Sequence, residues 1–189
     1  MARAGLTRER IVDAGATLAD EHGFEALTLA QLARQFGVKL ASLYSHLQNS
    51  DDLKQGVALL ALSRLADRAD EAVAGRSGKD ALVALANAHR LFAQEHPGLF
   101  QAARYPLDAS TAQHSGGARL SRINHAMLRG YALSEANRVH ATRLIGSFFL
   151  GFSLLELAGS FAHSAPEPGA SWQLGLDGLD ALLKSWANA

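Results

Sequence analysis

Along most of the chain apolar positions recur with the period of a helix, and no stretch shows the strict alternation of a half-buried strand. Residues 8–22 place Ile11, Ala14, Gly15, Leu18 and Ala19 on one face, with Thr7 set to cap that helix and Gly23 to end it in a left-handed conformation. "LTLAQL" at 27–32 is the strongest start signal. Thr28 falls at an N-cap with Gln31 three residues on, and Leu27 and Leu32 stand where a hydrophobic staple closes. This second helix presents Leu29, Leu32, Ala33 and Phe36, then stops at Gly37. A third short helix is predicted from about Lys39 to Leu47, after which "QNSDDL" caps a long fourth helix reaching about Ala74.

Gly75 to Gly78 break that helix, a fifth over 79–95 stops at Pro97, and "GLFQAARY" gives a short sixth. "YPLDASTAQHSGG" at 105–117 is predicted as a loop whose end begins a seventh helix reaching Arg129. An eighth helix is predicted from Ser134 to His163, "SAPEPGA" as a linker, and a last helix over 171–187. The expectation is an all-α fold of about nine helices. Residues 1–50 are expected to form a three-helix domain and 51–189 a larger helical bundle, with 51–74 as the linking helix.

Composition narrows the chemistry. The 189 residues carry no net charge, so any polyanion must be met by a local patch. Without cysteine there are no disulfides or thiolate sites. The eight histidines show no HxxxH or HExxH spacing, and there is no Walker loop, strand-borne GxGxxG or GxSxG elbow. His89 and His96 lie seven apart, but Pro97 follows at once. No catalytic, metal or cofactor site is expected. The most apolar run, 144–155, spans 12 residues before Glu156. A membrane helix needs ~20, so this is read as a buried helix. Arg8, Glu9, Arg10 and Asp13 interrupt the region where a signal peptide would lie, and a cytoplasmic protein is expected.

Residues 28–47 have the outline of a DNA-reading pair, two short helices joined by a glycine turn. Val38, Leu43 and Leu47 can hold the third helix against Ala33 and Phe36, leaving Leu40, Ala41, Tyr44 and Ser45 on an outward face. Positions 28–50 contain two bases, Arg34 and Lys39, and no acid. The same outline suits an αα-hairpin that merely packs.

"TRERIVDAGATLADEHGFEALTLAQLARQFGVKLASLYSHLQNSDDL", residues 7–53, resembles throughout the N-terminal domain of the tetracycline-repressor (TetR) family of ligand-responsive regulators. The Gly-Phe-x-x-Leu-Thr start, the Leu-Ala-x-x-x-Gly-Val turn and the Leu-Tyr-x-His signature occur in order and at the family spacing. "HPGLFQAARYPL" at 96–107 and "LIGSFFLGFSLLELAGSFA" at 144–162 resemble one C-terminal subclass. The resemblance implies that Leu40, Ala41 and Ser42 approach bases, that Tyr44, Ser45 and His46 lie nearer the backbone, and that Thr28 meets a phosphate. Leu40 and Ala41 suit thymine methyl groups rather than hydrogen-bonding edges. Two positions depart from the family: Lys39 stands where serine usually caps the reading helix, and Ser50 where a lysine usually meets a phosphate. Lys39 either supplies that missing charge or is simply solvated.

The last helix carries Trp172, Leu176, Leu179, Leu183 and Trp186 in a +4, +3, +4, +3 stripe, the seam of a helix bundle. The eighth offers Leu144, Phe148, Phe152 and Leu155. Both faces suit the monomer's own core; the resemblance implies instead that they pair with a second copy. His89, Phe92, Phe100, Tyr105, His125, Phe148 and Phe149 are candidate walls of a largely apolar effector pocket, though each also suits plain core. Glu156 is either a buried, hydrogen-bonded carboxylate or a residue on the wet side of its helix. The expected function is a ligand-responsive DNA-binding regulator, a repressor that binds a palindromic operator as a dimer and is released by a small-molecule effector. The rival is a helical dimer that binds a small molecule or protein and has weakened or lost DNA binding.

Overall fold

The computed structural model describes residues 5–186. Within them the chain forms nine α-helices and three 3₁₀ segments, and no strand. The helices are α1 Arg8–His22, α2 Leu29–Phe36, α3 Ser50–Val73, α4 Gly78–Glu95, α5 Pro97–Ala102, α6 Ala109–Gln113, α7 Gly116–Leu128, α8 Glu135–Leu157 and α9 Pro168–Trp186. The all-α expectation is met, though not by the same nine. The third predicted helix is a 3₁₀ segment, Leu40–Ser45. α6 lies inside the stretch predicted as a loop, where Asp108 caps it by accepting from the Thr111 amide at 3.0 Å.

α8 stops at Leu157 rather than His163. Gly159 takes φ 71°, and the amides of Gly159 and Ser160 return to the carbonyls of Glu156 and Leu155 (both 2.9 Å). These paired bonds close a Schellman motif that satisfies the last free carbonyls and turns the chain away. α9 begins at Pro168, inside the predicted linker, because proline costs nothing at a helix's first position, where its missing N–H would have no partner.

Packing divides the chain into two compact units. One holds residues up to Arg64 and His96–Gly117; the other holds Leu65–Glu95 and the chain from Ala118 onward. The motif-based division at residue 50 therefore leaves out segments 51–64 and 96–117, which pack with the N-terminal unit.

In the N-terminal unit α1 buries Ile11, Val12, Gly15, Ala16 and Ala19. α5 docks on it, and Asp20 of α1 caps α5 across the contact. One carboxylate oxygen accepts the Leu99 amide at 2.9 Å and the other lies 2.8 Å from His96 Nδ1. α3 is tied to α1 by Arg8 and Asp52 at 2.7 Å. The guanidinium holds the Asp52 carboxyl below its ordinary range.

In the other unit α4, α8 and α9 enclose a core of Leu82, Leu85, Ile145, Phe149, Trp172 and Leu176, among others. Tyr131 donates at 2.9 Å to the buried Asp180, which Lys184 also pairs at 2.7 Å; burial and the carboxylate push the phenol well above its usual value. Arg119 joins α7 to Asp67 and Asp70 of α3.

Candidate nucleic-acid interface and ligand-binding unit

The candidate DNA-reading element is built from local rules. Both arms of the predicted capping box form: Gln31 N–H donates to Thr28 Oγ1 at 3.3 Å, and Thr28 N–H donates to Gln31 Oε1 at 2.8 Å. The staple residues Leu27 and Leu32 are both buried. Gly37 is left-handed at φ 64°, ψ 33°, which turns the chain sharply into Val38. Leu43 and Leu47 are buried, while Leu40, Ala41, Ser42, Tyr44 and Ser45 are exposed and His46 is half-buried. The four residues placed on the outward face from spacing are all exposed, and so is Ser42 between them.

Two details differ from expectation. The reading segment is wound as a 3₁₀ helix, with Ser42 N–H on the Lys39 carbonyl and His46 N–H on the Leu43 carbonyl, each at 2.9 Å. Lys39 gives no side-chain cap, and Ser45 Oγ donates to the Ser42 carbonyl at 2.7 Å, competing for a group that an α-turn would use. Thr28 is also less free than predicted. Its amide and its hydroxyl both donate to Gln31 Oε1 at 2.8 Å, so α2's own first-turn amides are what remains for a phosphate. At Ser50 the helix start is secured by Asn49, whose Oδ1 accepts the Asp52 amide at 2.9 Å.

In the C-terminal unit Phe148 stacks on Trp172 at 5.2 Å between ring centroids, and Phe149 and Phe152 join them. Trp172 Nε1 donates to Asn87 at 2.8 Å. Arg90 grips both oxygens of Glu156, at 2.8 and 2.5 Å, and lies 5.5 Å from the Trp172 ring centre. Glu156 is thus the hydrogen-bonded carboxylate, held below its usual range by that guanidinium.

The candidate ligand residues do not form one group. His89 and Phe149 meet at 5.4 Å beside Phe148, with Phe92 buried on α4. His125 is exposed, beside a polar recess of about 330 Å³ with Arg129 and Arg138. Phe100 and Tyr105 belong to the N-terminal unit, where Tyr105 packs edge-on against Phe24 and donates to Asp51 at 3.2 Å.

The candidate dimer stripe also needs correction. Trp172, Leu176, Leu179 and Leu183 are at most 7% exposed in the single chain, because α9 turns that stripe onto α4 and α8. Leu144, Phe148, Phe152 and Trp186 pack partly against the same core, and only Leu155 stands out at 49%. The large apolar side chains left open among the described residues of this unit are instead Leu91 on α4, Val139, Leu154, Leu155 and Leu157 on α8, and Leu174 and Leu182 on α9.

Residues 11–57 match the model of the "Bacterial regulatory proteins, tetR family", and 82–179 match the "Tetracyclin repressor-like, C-terminal domain". The chain belongs to the TetR family. It is 31% identical over 153 residues to the HTH-type transcriptional regulator YobS of Bacillus subtilis, covering 81% of this chain and 80% of that one. It is 33% identical over 158 residues to the HTH-type regulator Rv0681 of Mycobacterium tuberculosis, covering 82% and 72%. Its fold is that of the TetR-family protein ActR of Streptomyces coelicolor solved with actinorhodin: TM-score 0.71, 21% identity, 98% of this chain and 100% of that one. As a TetR-family member the protein is a DNA-binding transcriptional regulator and not an enzyme. Among its described residues no helix is long and apolar enough to cross a membrane.

Three participants escaped the sequence reading. Arg90 and Asn87 on α4 complete the Glu156 and Trp172 contacts from 66 and 85 residues away, a partnership no local pattern carries. Ser153, polar and buried, was visible only as a serine inside an apolar run.

Proposed function

We propose that this TetR-family regulator is a repressor that binds a palindromic operator as a homodimer and lets go when a largely apolar effector enters its C-terminal unit. The observation that carries this is the exposed row Leu40, Ala41, Tyr44 and Ser45, held out by the buried Leu43 and Leu47. A single such row is a weak reader; two copies one DNA turn apart combine their modest energies on a symmetric site. The open leucines of α8 and α9 supply a dimer face, since an apolar row of this kind is left uncovered only where something else covers it. His89, Phe92, Phe148 and Phe149 supply the effector walls. Ligand occupancy lowers operator affinity by its differential affinity for the two arrangements. Such a regulator works in the compartment that holds the chromosome.

The test is a gel shift with the DNA flanking the protein's own gene, on wild type and Leu40→Ala. A specific complex is expected, weakened by Leu40→Ala mainly at one A·T step per half-site, where the thymine methyl contact is lost. The absence of any specific complex from an intact dimer would favour the rival reading, a helical dimer that has lost DNA binding. That rival draws on the uncapped amino end at Lys39.

Lys39 itself gives a second expectation. If its ammonium meets a phosphate, Lys39→Ala reduces the magnitude of the log K against log salt slope by about 0.9 for each phosphate it no longer neutralises. An unchanged slope means that Lys39 is only solvated.

A further inference from the structure

Two polar atoms in the aromatic region of the C-terminal unit are left unused by the fold. Ser153 is 1% exposed, and its hydroxyl has no hydrogen-bond partner among the described residues. Burying such a group unmatched is costly, so each one calls for a reason. Ser153 stands one turn beyond Phe149 on α8, so both lie on its inward face. The Phe149 ring meets the His89 ring of α4.

His89 Nδ1 lies 2.9 Å from the Leu85 carbonyl. A carbonyl can only accept, so Nδ1 carries the proton, and in the neutral ring Nε2 is then a bare acceptor. That nitrogen makes no hydrogen bond among the described residues. Burial keeps the imidazole below its usual range, and so neutral at pH 7, while part of its surface stays accessible.

We propose that His89 Nε2 and Ser153 Oγ are the polar end of the effector site, and that the effector is an uncharged, flat aromatic molecule bearing a hydroxyl group. This rests on the reading of the C-terminal unit as effector-binding. A hydroxyl has the two roles these atoms lack: it can donate to Nε2 and accept from the Ser153 O–H. The rings of Phe148, Phe149 and Trp172 suit a planar partner. A carboxylate or phosphate is disfavoured: the imidazole carries no charge, and the nearby Arg90 is already matched by both oxygens of Glu156. Because Ser153 Oγ is closed to solvent, a ligand reaches it only when what covers it moves, which ties occupancy to a rearrangement of the unit.

The test titrates the full-length protein calorimetrically with 2-naphthol, 2-methoxynaphthalene and 2-naphthoate. 2-Naphthol should bind about tenfold more tightly than the methyl ether, which lacks the donor, and 2-naphthoate should not bind. Ser153→Ala should weaken 2-naphthol and the ether alike, by about tenfold, since both oxygens accept from Ser153, and should leave Tm equal or higher, because it removes an unmatched polar group. His89→Phe should weaken 2-naphthol about tenfold and leave the ether, which has no proton for Nε2, unchanged; if it does not fold, Ser153→Ala decides alone. Equal binding of 2-naphthol and its ether, unchanged binding to Ser153→Ala, or no binding of any probe overturns the proposal. A gel shift on the same samples separates the two readings. The expected binding pattern without operator release overturns the effector reading and leaves the polar pair standing; release that ignores Ser153 overturns the pair alone.

Discussion

Gly98→Ala should lower stability by about 3 kcal/mol or more, a Tm fall of roughly 6–12 °C at fixed protein concentration. A Cβ at this position would lie 1.9 Å from the Ala19 carbonyl oxygen and 2.5 Å from the Asp20 amide nitrogen. Both neighbours are backbone, so no rotamer change relieves the clash; α5 must back away from α1. In doing so it strains the two bonds that Asp20 makes to Leu99 and His96, and the 3.2 Å bond from the Phe24 amide to Gln101 Oε1. The glycine and the carboxylate act as one device, the first permitting the close approach and the second capping α5 once it is there. The control is Gly169→Ala near the start of α9, where an added Cβ meets nothing within 4 Å. It should be neutral or slightly stabilising, since alanine is the better helix former. Differential scanning calorimetry on the two variants checks this; equal melting points would show that the α1–α5 contact is loose.

What could be read in the sequence follows the range of the interaction. Thr28 and Gln31 are three residues apart, and the two capping-box bonds among the three they share follow from helix geometry alone, so the motif predicted them correctly. Likewise, helical spacing separated buried Leu43 and Leu47 from exposed Leu40 and Tyr44. The same spacing could not tell a 3₁₀ segment from an α-helix over six residues, where the difference is a single step in the hydrogen-bond register. α6 was hidden in a stretch of small polar residues whose one signal was Asp108, three before Thr111.

The stripe on α9 shows the other limit. Periodicity states that a face is buried and is silent on what buries it. Trp172, Leu176, Leu179 and Leu183 were correctly seen as one face, yet that face turns onto this chain's own α4 and α8. The proposed dimer face then centres on Leu155, which the pattern had named, and on Leu174, which it had not. Contacts such as Asp20 with Leu99, 79 residues apart, leave no local trace at all.

Arg90→Ala should cost about 3 kcal/mol, because three interactions converge on one side chain. The guanidinium makes a two-pronged bond to Glu156 and lies 5.5 and 5.6 Å from the Trp172 and Phe152 ring centres. Removing it leaves the largely buried Glu156 carboxylate with Gln94 as its remaining neutral donor, at 3.1 Å. Acid should expose the same pair. Glu156 is held below its ordinary value chiefly by the Arg90 hydrogen bond, so the unfolded chain binds its proton more readily than the folded one. Its contribution is therefore complete above the unfolded value, about 4.3, and is lost as pH falls toward the depressed folded value. Urea titrations at pH 7 and across pH 5 to 3 should show wild type losing more stability than Arg90→Ala over that acidic interval, so that the gap between them narrows. Glu156→Gln keeps the shape and a hydrogen-bonding group but no charge, and should remove the same part of the pH dependence. A gap that stays constant through the acid range would mean that Arg90 stabilises the unit through its ring contacts alone.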